Sequence, residues 1–147
     1  GYGSIVSRHL TPILSHERRW LLALVRLDVL KPHEKTDPRH LEELRRGILR
    51  DGVLKKPILV DAKSLVILDG HHRVAVLRMI GARYVPAVLV DYDDECVMVS
   101  SWRPGVRVTK EMVRRAGFSG RLLPPKTSRH ILCFEIPELN IPLEDLV

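Results

Sequence analysis

The segment 65–75 constrains the fold of this chain most, because an apolar strand, a tight turn and a helix follow one another without a spacer. Leu65–Leu68 is an apolar run of strand length, and Asp69-Gly70 breaks it. A helix is predicted over about residues 71–80. A strand that enters a helix this directly is typical of α/β domains.

Apolar periodicity divides the rest of the chain into short elements. Strands are predicted over about 22–27, 57–60, 84–90, 95–102 and 131–136, and helices over about 11–19, 37–52 and 109–117. Asp37 is the expected cap of the second of these helices, and Gly52 is its expected end. The order β-α-β-β-α-β predicts a compact α/β (α+β) domain with a mixed sheet and short flanking helices. We expect residues 22–147 to form this single domain and residues 1–21 to be an N-terminal extension.

The chain is basic, with a formal net charge of +6 over 147 residues. This balance favours an anionic partner such as nucleic acid, a nucleotide or phosphate, although a solvated surface without a partner explains it equally well. No apolar run approaches the roughly 20 residues of a membrane helix. The N-terminus also lacks the residue order of a signal peptide. We therefore expect a cytoplasmic protein.

The two cysteines, Cys96 and Cys133, lie outside any metal-ligand spacing, and each is flanked by apolar residues. This pattern predicts buried free thiols. A disulfide is the alternative in a protein from a thermophile. Heavy use of Arg, with no Gln and a single Asn, points to such a source.

The first turn of the helix that follows Gly70 predicts an anion site, because helix starts present unpaired N–H groups and a positive dipole end. His71, His72 and Arg73 would add two titratable cations and one permanent one. Gly70 would let a ligand approach the backbone, and Asp69 could hold a metal ion or accept a proton. In the simplest alternative, Asp69 only caps the helix and the two histidines are exposed polar residues.

Two familiar kinds of site are missing from the sequence. It contains neither a Walker A sequence nor G-x-G-x-x-G, which excludes a conventional P-loop or protein-kinase fold. It contains no pair of histidines at i and i+4 with a Glu, so a zinc site of the metalloprotease kind is not expected.

The turn resembles the phosphate-binding turn of the ParB/sulfiredoxin-like superfamily, and residues 22–147 resemble its archaeal free serine kinases. Three segments carry this resemblance in order: Leu-Lys-Pro-His-Glu at 30–34, Asp-Gly-His-His-Arg at 69–73 and Pro-Lys-Thr-Ser-Arg-His at 125–130. Tyr92 and Trp102 match aromatic positions of the same family. His71 stands where sulfiredoxins have a reactive Cys, so sulfiredoxin chemistry is not expected. ParB partition proteins typically have Glu-Arg-Arg at this position.

The resemblance implies a Mg²⁺-dependent kinase that uses ATP or ADP to convert free L-serine to O-phosphoserine, a step of cysteine biosynthesis. It implies Glu34 as the general base, and Asp69 as the group that orients Mg²⁺ or the attacking hydroxyl. The residues expected to hold the nucleotide and its phosphates are Gly70, His71, His72, Arg73, Arg129 and His130. The residues expected at the serine are Trp102, Lys126, Thr127 and Ser128.

Three questions stay open at the level of the sequence. Some relatives carry a long segment between the Trp102 region and the third motif, and its absence here leaves ATP and ADP both open as donors. A ParB-like DNA-binding or nuclease module is an alternative function, favoured by the net charge. A nucleotide-sensing regulator that binds without turnover is the other.

Overall fold

The computed structural model describes residues 6–7, 13–14 and 19–147. The helices in this part of the chain are α1 (Pro38–Asp51), α2 (His71–Met79) and α3 (Lys110–Ser119). The strands are β1 (Val6–Ser7), β2 (Ile13–Leu14), β3 (Trp20–Arg26), β4 (Val53–Leu54), β5 (Ile58–Asp61), β6 (Ile67–Asp69), β7 (Tyr84–Val90), β8 (Val97–Ser101), β9 (Ser128–Leu132) and β10 (Ile141–Pro142). Short 3-10 turns span Leu27–Val29 and Leu143–Leu146. Across the described ranges, no helix has the length and apolar character needed to cross a membrane.

A mixed six-stranded sheet forms the centre of the fold. Its order is β1-β3-β7-β5-β6, and β2 also pairs with β3. The long strands β3 and β7 are antiparallel, with register from Trp20↔Val90 to Arg26↔Tyr84. β5 runs parallel to β7 and antiparallel to β6. The predicted α/β domain with a mixed sheet is confirmed.

Both faces of the sheet are covered, because side chains alternate between the two sides of each strand. In β7, Val85, Ala87 and Leu89 join the apolar cluster beneath α1 and α2. Val88 and Val90 point the other way and join a second cluster that includes Val113 of α3. The sheet therefore fixes α2 on one side and the two-stranded β8–β9 sheet with α3 on the other.

Local sequence signals placed several elements correctly. The Asp37 carboxylate accepts a hydrogen bond from the backbone N–H of Arg39 and caps α1. Gly52 ends that helix in the left-handed conformation, at φ 70°. β7 spans the predicted range 84–90. The predictions for α1 and β7 are therefore confirmed.

The prediction that α3 ends at Gly117 is wrong, since α3 continues to Ser119 and Gly120 ends it at φ 74°. Gly117 is needed for packing, because a Cβ there would lie 2.7 Å from Cγ2 of Val66. The last predicted strand, 131–136, is shifted. β9 starts at Ser128 because it pairs with β8 from Ser101↔Ser128 onwards.

The N-terminal prediction is corrected in part. Ile13–Leu14 pairs with β3 as a strand, so a helix does not run through 11–19 as predicted. The rest of that range, apart from Arg19, lies outside the described residues. Both β1 and β2 pair with β3. The division into an extension over 1–21 and a domain over 22–147 stays a prediction.

Cys96 and Cys133 form a disulfide, so the prediction of free thiols is wrong. The two residues flank the paired strands β8 and β9 at the end of this two-stranded sheet where Val97 faces Leu132. This pairing brings their Cα atoms to 5.1 Å, within the usual range for a disulfide. The two cysteines are 37 residues apart in sequence, and only the pairing of β8 with β9 brings them together.

Candidate active site

The loop that carries Glu34 is fixed between two other segments of the chain. Lys31 forms a backbone bridge with Val66, next to β6, and Glu34 forms one with Leu123. Loops held in this way can place a reactive side chain as firmly as a regular element does.

The two histidines at the start of α2 hold the same loop. The Nε2 atom of His71 accepts hydrogen bonds from the backbone N–H groups of His33 (3.0 Å) and Glu34 (3.3 Å). The Nε2 atom of His72 accepts one from the N–H of Asp37 (2.9 Å), at the start of α1. Accepting nitrogens are unprotonated, so both rings act here as neutral acceptors.

Electrostatics agrees with this arrangement. Burial, followed by the nearby His33, lowers the pKa of His71 to about 3. Burial, followed by the neighbouring His40, also lowers the pKa of His72. The sequence-based expectation of two cations at the phosphate turn therefore differs from the structure, in which these rings position the Glu34 loop.

Gly70 begins α2 at φ 108°, and no side chain caps the helix. A Cβ at this position would lie 2.4 Å from Cγ2 of Ile58. The lack of a side chain at Gly70 is therefore needed for packing against strand β5, and not only for the approach of a ligand. Asp69 does not cap α2, contrary to the simplest alternative. Its carboxylate is 69% exposed and lies 3.8 Å from Nη2 of Arg73.

Arg73 makes structural contacts with part of its guanidinium group. Nη1 donates hydrogen bonds to the backbone carbonyls of Lys56 (3.0 Å) and Pro57 (2.6 Å). These bonds tie the first turn of α2 to the segment that enters β5. Nη2 lies near Asp69 and remains the part of this side chain that could reach a phosphate.

Glu34 is almost fully buried and is hydrogen-bonded through one oxygen. Its Oε2 accepts hydrogen bonds from the backbone N–H of Ser128 (2.8 Å) and from the Ser128 hydroxyl, and lies 3.4 Å from Nε2 of His33. Burial raises the pKa of Glu34, but the contacts with His33 and Ser128 outweigh it and lower the pKa to about 2. Among the described residues, none donates a hydrogen bond to Oε1.

A cavity of about 620 Å³ brings most of the expected residues together. The expected residues in its lining are Glu34, Asp69, Gly70, His71, His72, Arg73, Trp102, Lys126 and Ser128. A larger cavity of about 740 Å³ runs along β8 and is lined by none of the expected residues. The chemistry-bearing side chains therefore converge on one cavity, which we call the main cavity.

The turn before β9 separates neighbouring residues that the sequence placed in one group. The backbone of Lys126 is left-handed at φ 52°, and its side chain lines the main cavity. Thr127 is buried, and its hydroxyl donates to the carbonyl of Pro124 at 2.7 Å. Thr127 therefore supports the turn and does not line the cavity, unlike Lys126 and Ser128.

Trp102 lies at the rim of the main cavity and is 58% exposed. The guanidinium carbon of Arg129 lies 4.6 Å from the centre of its ring. This distance is typical of a cation–π contact. Arg129 thus contacts the site through Trp102 and is not itself in the cavity lining.

His130 lies behind the site rather than in it. Its Nε2 is 2.8 Å from the hydroxyl of Tyr92, and its ring centre is 6.0 Å from that of His33. Burial, followed by His33, lowers the pKa of His130 to about 3. His130 is thus a neutral ring outside the lining of the main cavity, and its assignment to the nucleotide stays a prediction.

Three residues at or beside the site were not in the expected set. His33 is fully buried beside Glu34. His40 lines the main cavity from the first turn of α1, and its ring centre lies 4.4 Å from that of His72. Lys56 lines it from the segment before β5. The capped start of α1 was a usable signal for His40, whereas no sequence signal marked Lys56.

The described residues contain no cluster of three or more side chains that could hold a metal ion. Asp69 and Glu34 are the carboxylates that line the main cavity. Mg²⁺ in phosphoryl-transfer sites is usually bound by one or two carboxylates together with substrate phosphates. The exposed carboxylate of Asp69 fits an ion of that kind, held jointly with a nucleotide.

Comparison with known proteins places this geometry in a family. The profile of the ParB N-terminal domain matches residues 16–101. An ATP-dependent L-serine kinase from Staphylothermus marinus is 37% identical over 87 residues, which are 56% of this chain and 34% of that protein. An ADP-dependent L-serine kinase from Thermococcus kodakarensis is 34% identical over 87 residues, which are 56% of this chain and 36% of that protein. The chain thus spans about a third of the length of the curated relatives it matches.

A solved structure supports the same fold. A free serine kinase in complex with AMP superposes on 97% of this chain and 96% of its own with a TM-score of 0.76, at 19% sequence identity. The shared fold therefore extends beyond residues 16–101, which the family profile matches, to β9 and the C-terminal residues. Because the family profile covers more than half of the residues, the chain belongs to the ParB N-terminal domain family.

Proposed function

We propose that this protein is a kinase that transfers a phosphoryl group from ATP or ADP to the hydroxyl of free L-serine. The observation that carries the proposal is the Glu34 carboxylate, which lines the same cavity as the first turn of α2 and has Oε1 without a donor among the described residues. A base beside a phosphate-binding turn is what phosphoryl transfer to an alcohol requires. The names of two curated relatives, both L-serine kinases, support serine as the acceptor.

In the proposed reaction, the serine hydroxyl oxygen bonds to the terminal phosphorus of the nucleotide. The bond from that phosphorus to the leaving nucleotide oxygen breaks, and Glu34 takes the hydroxyl proton at Oε1. The unpaired N–H groups of α2 and the ammonium of Lys126 would stabilise charge on the transferred group. Arg73 would contribute through Nη2 alone, since Nη1 is bonded to the backbone.

Asp69 is the residue we propose as the protein ligand of Mg²⁺. The ion, when bound with a nucleotide, would neutralise phosphate charge and orient the phosphates. The position of Asp69 at the end of β6, one residue before the α2 turn, supports this assignment. Its exposure leaves room for the water ligands that Mg²⁺ retains.

A second cavity of about 560 Å³ adjoins the main cavity and shares Trp102 and Lys126 with it. Its other lining residues are Thr36, Asp37, Pro38, Arg103 and Pro125. Two adjoining cavities suit a reaction with two substrates. We propose that the phosphates occupy the main cavity and that nucleotide and serine meet at Trp102 and Lys126. Arg129 and Thr127 would act indirectly, by supporting these two residues.

We propose that the product is O-phosphoserine, a precursor suited to cysteine biosynthesis, and that the protein acts in the cytoplasm, where both substrates are found. The proposal keeps both ATP and ADP as donors, because one of the two named relatives is ATP-dependent and the other is ADP-dependent.

The proposal is tested by comparing Glu34→Gln with Glu43→Gln, a change to an exposed residue on α1 that does not line the main cavity. We expect Glu34→Gln to lower serine phosphorylation by about a hundredfold or more, because the base is lost, while nucleotide binding persists. Glu43→Gln should behave like the unmodified protein. Full activity in Glu34→Gln, measured as O-phosphoserine formed, would remove the proposed mechanism.

A nucleic-acid-binding function is the second candidate, favoured by the net charge of +6 and by membership of the ParB N-terminal domain family. Binding through phosphates weakens steeply as salt rises. Duplex DNA binding that persists at physiological salt, together with no serine phosphorylation, would favour this candidate over the kinase.

A further inference from the structure

Three buried side chains form a continuous network of hydrogen bonds that begins in the lining of the main cavity, at Glu34 and Ser128, and ends behind it at His33. Nδ1 of His33 lies 2.6 Å from the carbonyl of Ile67, and Nε2 of His33 lies 2.8 Å from the hydroxyl of Ser128. The same hydroxyl contacts Oε2 of Glu34. His33 is fully buried, and Glu34 and Ser128 are 8% and 9% exposed.

The number of protons in these hydrogen bonds limits the charge states of the three side chains. A carbonyl can only accept, so Nδ1 of His33 carries a proton and donates to Ile67. The contacts of Ser128 with Nε2 of His33 and with Oε2 of Glu34 each need a proton, and the hydroxyl supplies one. One further proton must therefore lie on His33 or on Glu34.

We propose that this proton is on His33, which is a doubly protonated imidazolium and acts as the positioning residue that, through Ser128, orients the carboxylate of Glu34. The number of protons follows from the hydrogen-bond geometry, and the groups that surround His33 place the last proton on it. The role of His33 in catalysis rests on the proposed function.

The surroundings of His33 favour a single positive charge at this ring. Three groups that can carry charge face it: Glu34, at 3.4 Å, and the rings of His71 and His130, at 4.5 and 6.0 Å between centres. His71 uses Nε2 as an acceptor, which keeps that ring neutral. The pKa of His130 is lowered to about 3, so it is also neutral near pH 7. Glu34 supplies the one negative charge, since its Oε2 accepts from both the backbone N–H and the hydroxyl of Ser128 and lies 3.4 Å from Nε2 of His33.

The arrangement would leave the reactive oxygen of Glu34 in a defined position. Oε2 is occupied by Ser128 and His33, so the carboxylate cannot rotate without losing these contacts. Oε1 is then the oxygen available to a substrate hydroxyl. When Oε1 takes the hydroxyl proton, one O–H bond breaks and one forms, and His33 keeps its own proton throughout.

The first test is the protonation state of His33 in the unmodified protein, without nucleotide or serine, by ¹⁵N–¹H correlation NMR of the histidine rings at pH 7. The His33 signals are assigned through their contacts with the ring of His71. We expect both ring nitrogens of His33 to be protonated, and one nitrogen of His71 to be unprotonated. A His33 ring with one unprotonated nitrogen would overturn the proposal, whether or not the protein phosphorylates serine.

The positioning role has a separate test in the pH profile of kcat/KM. Ser128→Ala removes the hydroxyl that links Glu34 to His33, so the acidic limb should move to higher pH by roughly one unit or more. Ser128→Thr retains the hydroxyl and should restore the limb towards its original position. An acidic limb that does not move in Ser128→Ala would contradict the positioning role, even if the overall rate falls.

Discussion

Gly70 determines the geometry of the phosphate turn because two independent constraints meet at it. Its φ of 108° is unfavourable for any side chain, and a Cβ would lie 2.8 Å from Cβ of Ile58 as well as 2.4 Å from its Cγ2. The following helix presents His71 and His72 to the Glu34 loop. A change at this glycine should therefore affect both stability and the site.

We predict that Gly70→Ala lowers the free energy of unfolding by about 2–4 kcal/mol, because β5 or α2 must move. Gly47→Ala is the matched control. Gly47 lies inside α1, where a Cβ would meet only the flexible end of Arg50 at 3.6 Å, so alanine should stabilise by about 0.5–1 kcal/mol. Urea unfolding of both variants checks the prediction. Equal effects at the two glycines would contradict it.

Residue types alone could not separate the members of the run 126–130. The sequence assigns them to the serine or to the nucleotide, but the turn and β9 direct them to different places. Ser128 faces Glu34, Arg129 contacts Trp102 on the exposed side, and Thr127 supports the turn. The period of two along a strand explains the alternation. It could not be applied before the start of β9 was known.

At the scale of elements, the two-stranded β8–β9 sheet links the disulfide to the site. The disulfide joins Cys96 and Cys133 at one end of the paired strands. At the other end, Ser101 pairs with Ser128, and the N–H of Trp102 donates to the carbonyl of Thr127 at 3.0 Å. The register that the disulfide helps to fix is therefore the register that places Ser128 beside Glu34.

We predict that the Cys96→Ser/Cys133→Ser double variant is less stable by on the order of 3–4 kcal/mol, from the entropy of the loop of 37 residues that the disulfide closes. Thermal unfolding with and without a thiol reductant checks this. The reductant should lower the Tm of the unmodified protein and leave the double variant unchanged. A Tm of the unmodified protein that does not respond to complete reduction would contradict the prediction.

Elements with a capping signal or clear alternation were predictable, and those defined by tertiary contact were not. Asp37, Gly52 and the apolar run of β7 act locally, so their positions follow from the sequence. Gly117 looks like a helix end but is a packing residue against Val66. The start of β9 depends on its pairing with β8, which is a long-range property.

At the scale of the whole molecule, buried neutral histidines couple folding to pH. The pKa values of His71 and His130 are both lowered to about 3, mainly by burial. An unfolded chain binds these protons at about pH 6.5, whereas the folded protein does not bind them until much lower pH. Their contribution to stability is therefore present above about pH 6.5 and is lost as the pH falls.

We predict that the free energy of unfolding decreases between pH 6.5 and 4, by up to roughly 1.4 kcal/mol per pH unit for each of these histidines. Below about pH 4.5, Glu34 adds to the loss, because its pKa in the folded protein is lowered to about 2. Urea unfolding at several pH values measures the slope. His130→Gln should reduce it. A stability that is constant from pH 7 to pH 4 would show that the histidines are not buried as neutral rings.

The fold class and the central cavity were predictable because the three motifs, though far apart in sequence, contribute to one cavity. Glu34, the 69–73 turn, Lys126 and Ser128 all line the main cavity. The buried His33 and the disulfide were not predictable, since both depend on which segments the sheet brings together. His33 in particular has no partner within its own segment other than Glu34.

The measurement that tests the central claim most directly is a phosphoryl-transfer assay with free L-serine, Mg²⁺ and either ATP or ADP, in which O-phosphoserine is detected by mass spectrometry. The account predicts O-phosphoserine with at least one donor, and much less with Glu34→Gln. A folded sample that binds nucleotide but forms no O-phosphoserine with either donor would contradict the kinase proposal and leave a nucleotide-binding regulator as the better description.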